Sequence, residues 1–486
     1  MIIYTNKPIL LTCLTAGLGL LAIARARAEE ALPIHSFSLI EGGLPTAGMV
    51  MSGSTLYGVQ ENGGPSGVGT VFSIQTDGTG LTALHHFKLS EGVFPSADLV
   101  LLGDSVFGTT SGGVASNSGT VFKVGTNGTG FQILHRFSVP SSPNYFNADG
   151  AGPLGRLIAS GSTLYGTTSF GGKAGNGTVF KIETSGTGFN ALHNFSATPP
   201  FYPKINTEGS NPEAGLILDG ATLFGTTPDG GKFGSGVVFA VSTNGSGFTN
   251  LHSFSPVKSY TNNEGSAPSG PLLLNSGTLY GATGHGGPAS EGTLFSMATN
   301  GSAFSVLHQF SAISETGNAD GGNPHGGLIL LDNMLYGTAS QGGDSGAGTV
   351  FTLSTAGSSF TVLHSFSAAP YDAGGSFRTN REGARPLGSL LYSGNNLYGT
   401  TVDGGTAGRG TVFVLAALPP ELTVGLSGAN LVLSWPADRD GFALESASSL
   451  APNSTWASIQ RPLILKDQQT YTMVPTGIEQ YYRLKQ

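Results

Sequence analysis

The chain has 486 residues, too many for one compact core unless that core is assembled from repeats. Its net charge of −8 argues against a nucleic-acid partner, and its 38% hydrophobic content excludes a disordered chain. With 77 glycines, only 10% charged residues and no sustained helical period after residue 30, it reads as many short strands joined by tight turns.

Residues 1–28 read as a secretory signal. Lys7 supplies the basic start, "PILLTCLTAGLGLLAIA" the apolar run, and Ala26, Arg27 and Ala28 a small-x-small cleavage site, so a mature chain would begin at Glu29. The alternative, an uncleaved anchor, is disfavoured because the run is short for a bilayer. The single cysteine, Cys13, falls inside this segment, and Thr12 stands where a lipoprotein site needs a small residue. The mature chain would then have no disulfide and no thiolate site. No later apolar run is long enough to span a membrane.

From residue 34 four markers recur in fixed order, seven times each, at spacings of 50 to 62 residues. One is "LHxF" or "IHxF", with His35, His85, His135, His193, His252, His308 and His364. Next comes an acid, Gly, two residues and Pro, with Glu41, Glu91, Asp149, Glu208, Glu264, Asp320 and Glu382. Then follow an aliphatic run with "LYG", and finally "GTVF" or a variant. The string "LYGTTSFGGKAGNGTVF" at 164–180 shows the last two together. Turns such as "TNGTG" and "TSGTG" suit tight hairpins in which Gly takes a positive φ. Each unit therefore predicts four antiparallel strands: A, the aliphatic run; B, LYGTT; C, GTVFxI; and D, FxxLHxF. That is the blade of a β-propeller.

The phase of the count predicts how the ring closes. The first "IHSF" (34–37) precedes the first "LYG", and the seventh unit ends at "TVFVLA" (411–416) without a strand D of its own. The N-terminal strand is expected to complete the last blade, a permutation that a linear β-solenoid would have no reason to carry. The fold class expected is all-β: a seven-bladed propeller over residues 29–416, followed by a small β-sandwich over 417–486.

These residues resemble the secreted tandem-repeat proteins called GloVer-repeat proteins, after Gloeobacter and Verrucomicrobia. The shared pattern, "LYGTT..GG..G.GTVF......G....LH.F", covers about residues 34–416. The resemblance implies export and a repeat fold, and it brings no catalytic residue.

After the Pro-containing linker "AALPPELTVG" (416–425), the strings "LVLSW", "GFALES", "TWASI" and "QYYRLK" read as strands of a sandwich with Trp435 and Trp456 as core candidates. This tail looks like a C-terminal module of exported Verrucomicrobial proteins, loosely similar to a fibronectin type III domain. A spacer or folding cap is its expected role, with surface retention or binding as the alternative.

Two features could carry chemistry. In a propeller with strand A innermost, the D–A and B–C connections share one face, here called the top. The seven acids are expected to ring the channel mouth there, either as turn-building residues or as a Ca²⁺ site of hard oxygen ligands. The repeat histidines are expected to lock blades rather than bind metal. The D–A connections also vary: the first two span 8 residues from Phe to Pro, and the next five span 14 to 20. Those five carry Tyr145, Phe146, Phe201, Tyr202, Tyr260, Tyr371 and Phe377, with Arg378, Arg381 and Arg385 in the last. Such loops on a rigid scaffold are expected to form an aromatic platform for a sugar chain or a peptide, or else to pack over the blade tops.

Strings that mimic hydrolase signatures, "GDSV" (103–106) and "GDSG" (343–346), align with ordinary repeat positions and carry no function. Non-repeated acid or His candidates are Asp229, Asp403, His285 and His325. The expectation is an exported, monomeric, non-catalytic binding or scaffold protein of the cell envelope or exterior, contacting a polysaccharide, surface glycan or protein. A carbohydrate-active hydrolase or lyase and an ion-stabilised structural envelope component are the alternatives.

Overall fold

The computed structural model describes residues 31–417 except 39, 114–117, 142–144, 200–203, 373, 374 and 376. Outside that span it describes 2–5, 423–427, 430–436, 443–447, 457–459, 463–465, 468–473 and 481–485. The expected signal boundaries therefore lie outside the described residues, as do Trp456 and the side chain of Trp435. The described residues form strands and turns, and no helix among them is long and apolar enough to cross a membrane.

The chain divides into two compact units. One comprises residues 30–391 and 398–414, the other residues 1–29, 392–397 and 415–486. The second unit contains two four-stranded sheets. In one, Thr423–Ser427, Asn430–Pro436, Gln468–Met473 and Leu463–Leu465 are neighbours in that order; in the other, Ile2–Thr5 runs parallel to Tyr481–Lys485.

The propeller is built on the first unit, with residues from 392–397 and 415–416 also entering its strands. Its fourth blade shows the plan: a three-residue inner strand Ile217–Asp219, then Thr222–Thr227, Val237–Ser242 and the outer Thr249–Ser253, paired in that order. Six blades are built consecutively in this way. The seventh contains Leu391–Ser393, Asn396–Thr401 and Thr411–Ala416, and its outer strand is the N-terminal Leu32–Ser36, with Ser36 opposite Thr411 and Leu32 opposite Val414. Closure is as the permuted marker count implies. Phe37, Met49, Leu56, Phe72, Ile74, Tyr398 and Val412 form one buried cluster across the joint between the seventh blade and the first.

Repetition of "LYG" and "GTVF" has a steric cause. The Gly of strand B lies opposite the Phe of strand C, as Gly225 does opposite Phe239, and the ring covers the bare backbone. Equivalent glycines, from Gly58 to Gly399, meet their own Phe in the same way. Successive blades bury their facing side chains together. Ile217, Phe224, Val238 and Phe254 of the fourth blade pack with Leu272, Leu279, Phe295 and Met297 of the fifth.

Candidate functional site

The repeat acids sit elsewhere than expected. Each pairs with the Nε2 of the His on the preceding outer strand, from His35–Glu41 to His364–Glu382, at 2.8–3.4 Å. Each also accepts the backbone N–H just past the "LHxF" Phe, as Glu208 does from Ser196 and Glu264 from Ser255. Glu41, Glu91, Asp149, Glu208, Glu264, Asp320 and Glu382 are thus spread over the outer halves of seven blades rather than gathered at the channel mouth. The D–A connection starts at the outer strand and crosses the blade top, so an acid close to strand A in sequence is still near strand D in space. Among the described residues, no group of three or more His, Cys, Asp or Glu side chains is placed to hold a metal ion.

The histidines lock blade to blade. His85, His135, His193, His252 and His308 each stack on a Phe of the next blade (Phe131, Phe189, Phe248, Phe304 and Phe360) with ring centroids 3.5–3.9 Å apart. Burial holds His85, His193 and His252 below the usual His value, outweighing the paired carboxylates. Burial would raise Asp149 and Asp320, but hydrogen bonds from their His and Ser partners hold both low.

A pH dependence follows. The unfolded chain takes up protons at these histidines near pH 6.5 while the folded one resists, so their share of stability is present above that pH and lost below it. The Asp149 and Asp320 share is lost only further down, as pH falls through their lowered values. Glu61, Glu213, Asp229 and Glu291, raised mainly by burial, act in the opposite sense: their share is present at low pH and lost as pH rises through their raised values. The melting temperature should therefore already fall between about pH 7.5 and pH 5.5. A flat profile there in a scanning-calorimetry series would contradict the buried, neutral state of these rings.

A different signal fixes the long loops. Asn147, Asn206, Asn262, Asn318 and Asn380 stand two residues before the acid in the five long connections only. The Asn206 amide donates to the Ser196 and Gly209 carbonyls, while its oxygen accepts from the Gly209 and Gly231 N–H groups. It ties the D–A loop to the B–C loop of the same blade. Bridges such as Ser210 with Asp229 and Ala384 with Asp403 join the same two loops, confirming that they share a face.

Two of the cavities in the propeller gather candidate residues. The smaller, about 120 Å³, lies on the axis and takes residues from all seven blades, among them Asp98, Arg156, Glu213 and His325. These non-repeated side chains follow the Pro of the acid-Gly-x-x-Pro element, a position that the repeat leaves variable. Ser269 Oγ lies 2.6 Å from His325 Nδ1, and Asp98 accepts the Gly48 N–H at 2.6 Å. Burial, with the nearby His285 and Arg385, pushes His325 down to about 4.

The larger cavity, about 730 Å³, is a cleft on the top face, lined by loops of the sixth and seventh blades and by Leu44 of the first. It gathers Tyr371, Phe377 and Arg378 from the expected platform. Arg378 Cζ lies 5.0 Å from the Tyr371 ring centre, and Arg409 Cζ 4.2 Å from that of Phe377. Arg385 Nη1 is bonded to Asp403 Oδ2 at 2.8 Å. Tyr371 remains 62% exposed beside the Arg378 guanidinium. Tyr145, Phe146 and Tyr260 are also exposed but do not line this cleft, and Phe201 and Tyr202 lie outside the described residues. Arg409, from the B–C loop of the seventh blade, was not among the residues expected from sequence.

Comparison with solved structures shows likeness of fold alone. A GH74 enzyme from Niastella koreensis is 14% identical with a TM-score of 0.48, over 85% of this chain and 59% of that one. An oligogalacturonate lyase from Vibrio parahaemolyticus is 11% identical with a TM-score of 0.48, over 80% of this chain and 92% of its own. A nidogen/laminin complex is 12% identical with a TM-score of 0.35, over 76% of this chain and 95% of that one. No curated protein sequence matches the chain significantly. The Gloeobacter/Verrucomicrobia repeat matches residues 23–206, 144–319 and 312–430, the span in which the seven blades share their Gly–Phe pairs and His–acid clamps, and the chain belongs to that repeat family.

Proposed function

We propose that the protein is an exported, non-catalytic binding propeller that holds a polysaccharide or cell-surface glycan on its top face. The observation that carries this reading is the cleft of about 730 Å³ bordered by Tyr371, Phe377 and Arg378. One wall is an exposed aromatic ring, which suits the apolar C–H face of a pyranose, and guanidinium groups stand beside it for the hydroxyls. The cleft is open to an extended chain, and the repeated His–acid clamps are committed to blade structure. Export rests on the signal-like residues 1–28, and the C-terminal unit is read as a β-sandwich spacer or cap.

Binding to a soluble glycan panel should be measured by calorimetry with the mature chain and with Tyr371→Ala. Tyr371 is exposed and lies outside the blade strands, so the variant should fold normally and bind roughly tenfold more weakly, the equivalent of about 1.4 kcal/mol. Undiminished binding by the variant, or no glycan bound at all, would sink the reading.

A hydrolase or lyase is the second reading. It is favoured by Glu213 and Asp229, two non-repeated carboxyls both raised mainly by burial, with the Asp229 charge adding to the effect on Glu213. Release of new reducing ends from a bound polymer, abolished by Glu213→Gln, would install this reading in place of the first.

A further inference from the structure

We infer that the cleft takes an acidic polysaccharide, one whose sugar units carry carboxylates, rather than a neutral glycan. This rests on the saccharide-binding reading and narrows its ligand class.

Charge is distributed unevenly over this chain. Between residues 30 and 416 there are six arginines, Arg136, Arg156, Arg378, Arg381, Arg385 and Arg409, and the last four belong to the loops of the seventh blade. Three of those four line the cleft, in a protein whose net charge is −8. The acid among the lining residues is Asp403, and its bond to Arg385 neutralises one guanidinium. Among the described residues lining the cleft, no second carboxylate is present to pair with Arg378 or Arg409, which leaves it cationic.

Both guanidiniums are held by aromatic rings rather than by acids. Arg409 lies over Phe377, and its buried Nε has no hydrogen-bond partner among the described residues. A ring beneath a guanidinium fixes its plane and leaves its edge N–H groups to point outward. A planar fork fixed in this way matches the two oxygens of a carboxylate, and the pairing is stronger when water is partly excluded. A neutral hydroxyl would use only one donor and leave the charge uncompensated. A uronate unit supplies both requirements, an apolar ring face for Tyr371 and an in-plane carboxylate for Arg378 or Arg409.

The test uses the mature full-length chain and two probes that differ only in charge. One is a polyuronate such as polygalacturonate, and the other is the same polymer with its carboxylates reduced to primary alcohols. Affinity electrophoresis or calorimetry should show binding to the polyuronate, at least about tenfold weaker binding to the reduced polymer, and weakening with added salt. Arg378→Gln should lose about fivefold against the polyuronate and nothing against the reduced polymer. Arg378→Lys should recover only part, because a point charge lacks the fork. Arg378 is exposed, and an unchanged melting curve establishes that both variants are folded. Equal binding of the two polymers overturns the carboxylate inference and leaves the saccharide reading standing. Binding of neither overturns both. Preference for the polyuronate that Arg378→Gln and Arg409→Gln leave untouched places the anion outside the cleft and also overturns the inference.

Discussion

Deletion of residues 30–37 should lower the melting temperature more than any single substitution in the propeller and promote aggregation. The deletion removes Leu32–Ser36, which completes the seventh blade, and Phe37, which is fully buried with its ring centre 5.3 Å from that of Phe72 in the first blade. The loss of one such Phe to Ala costs about 3–5 kcal/mol. The deletion adds to that the bonds between Leu32–Ser36 and Thr411–Ala416, leaving the latter as an open edge able to pair with another chain. Differential scanning calorimetry and light scattering measure both effects. Phe37→Ala, which keeps the strand, should give a smaller shift of the same sign. An unchanged melting curve for the deletion would show that the ring is not held closed by this strand.

Gly225→Ala should destabilise the propeller by about 1–3 kcal/mol, although it adds one methyl group to a β-strand. The added Cβ would lie 2.6 Å from Phe239 Cζ and 2.8 Å from Leu216 Cδ2, and both side chains are fully buried. Neither has room to retreat in a close-packed interior. Phe239→Leu, which removes the ring atoms that collide, should cost stability alone through the cavity it leaves. Combined with Gly225→Ala, the two should cost clearly less than the sum of the singles, because the methyl then fills part of that cavity. Chemical denaturation of the four members of the cycle gives the coupling. Strict additivity would mean that Gly225 is present for a reason other than the ring above it.

The two residue sets that repeat most strictly were read from the sequence with unequal success. The strings "LYG" and "GTVF" were read as adjacent strands of one hairpin, while the covering of the Gly of one by the Phe of the other appears only in the structure. The repeat histidines were correctly read as blade locks. The acids were assigned to the inner rim because they precede strand A by few residues. In the structure Glu208 answers instead to His193 and to the Ser196 N–H, on the outer strand it has just left. A loop that crosses a blade covers the whole radius within a few residues, and distance along the chain does not report where on that radius a side chain stops.

The candidate site was legible only in part. Tyr371, Phe377 and Arg378 were picked out because they break the repeat within its longest connection. Arg409 was not, since it comes from an ordinary B–C loop, and Leu44 reaches the same cleft only because the ring brings the first blade beside the seventh. Asp98, Arg156, Glu213 and His325 lie between about 60 and 230 residues apart in sequence, yet line one axial cavity. By itself the sequence determined the number of blades, the order of strands within each and the closing strand, since these depend on period and hairpin neighbours. Only the tertiary structure decided which variable positions meet, because circular closure converts equivalent places in distant units into neighbours around an axis or across a cleft.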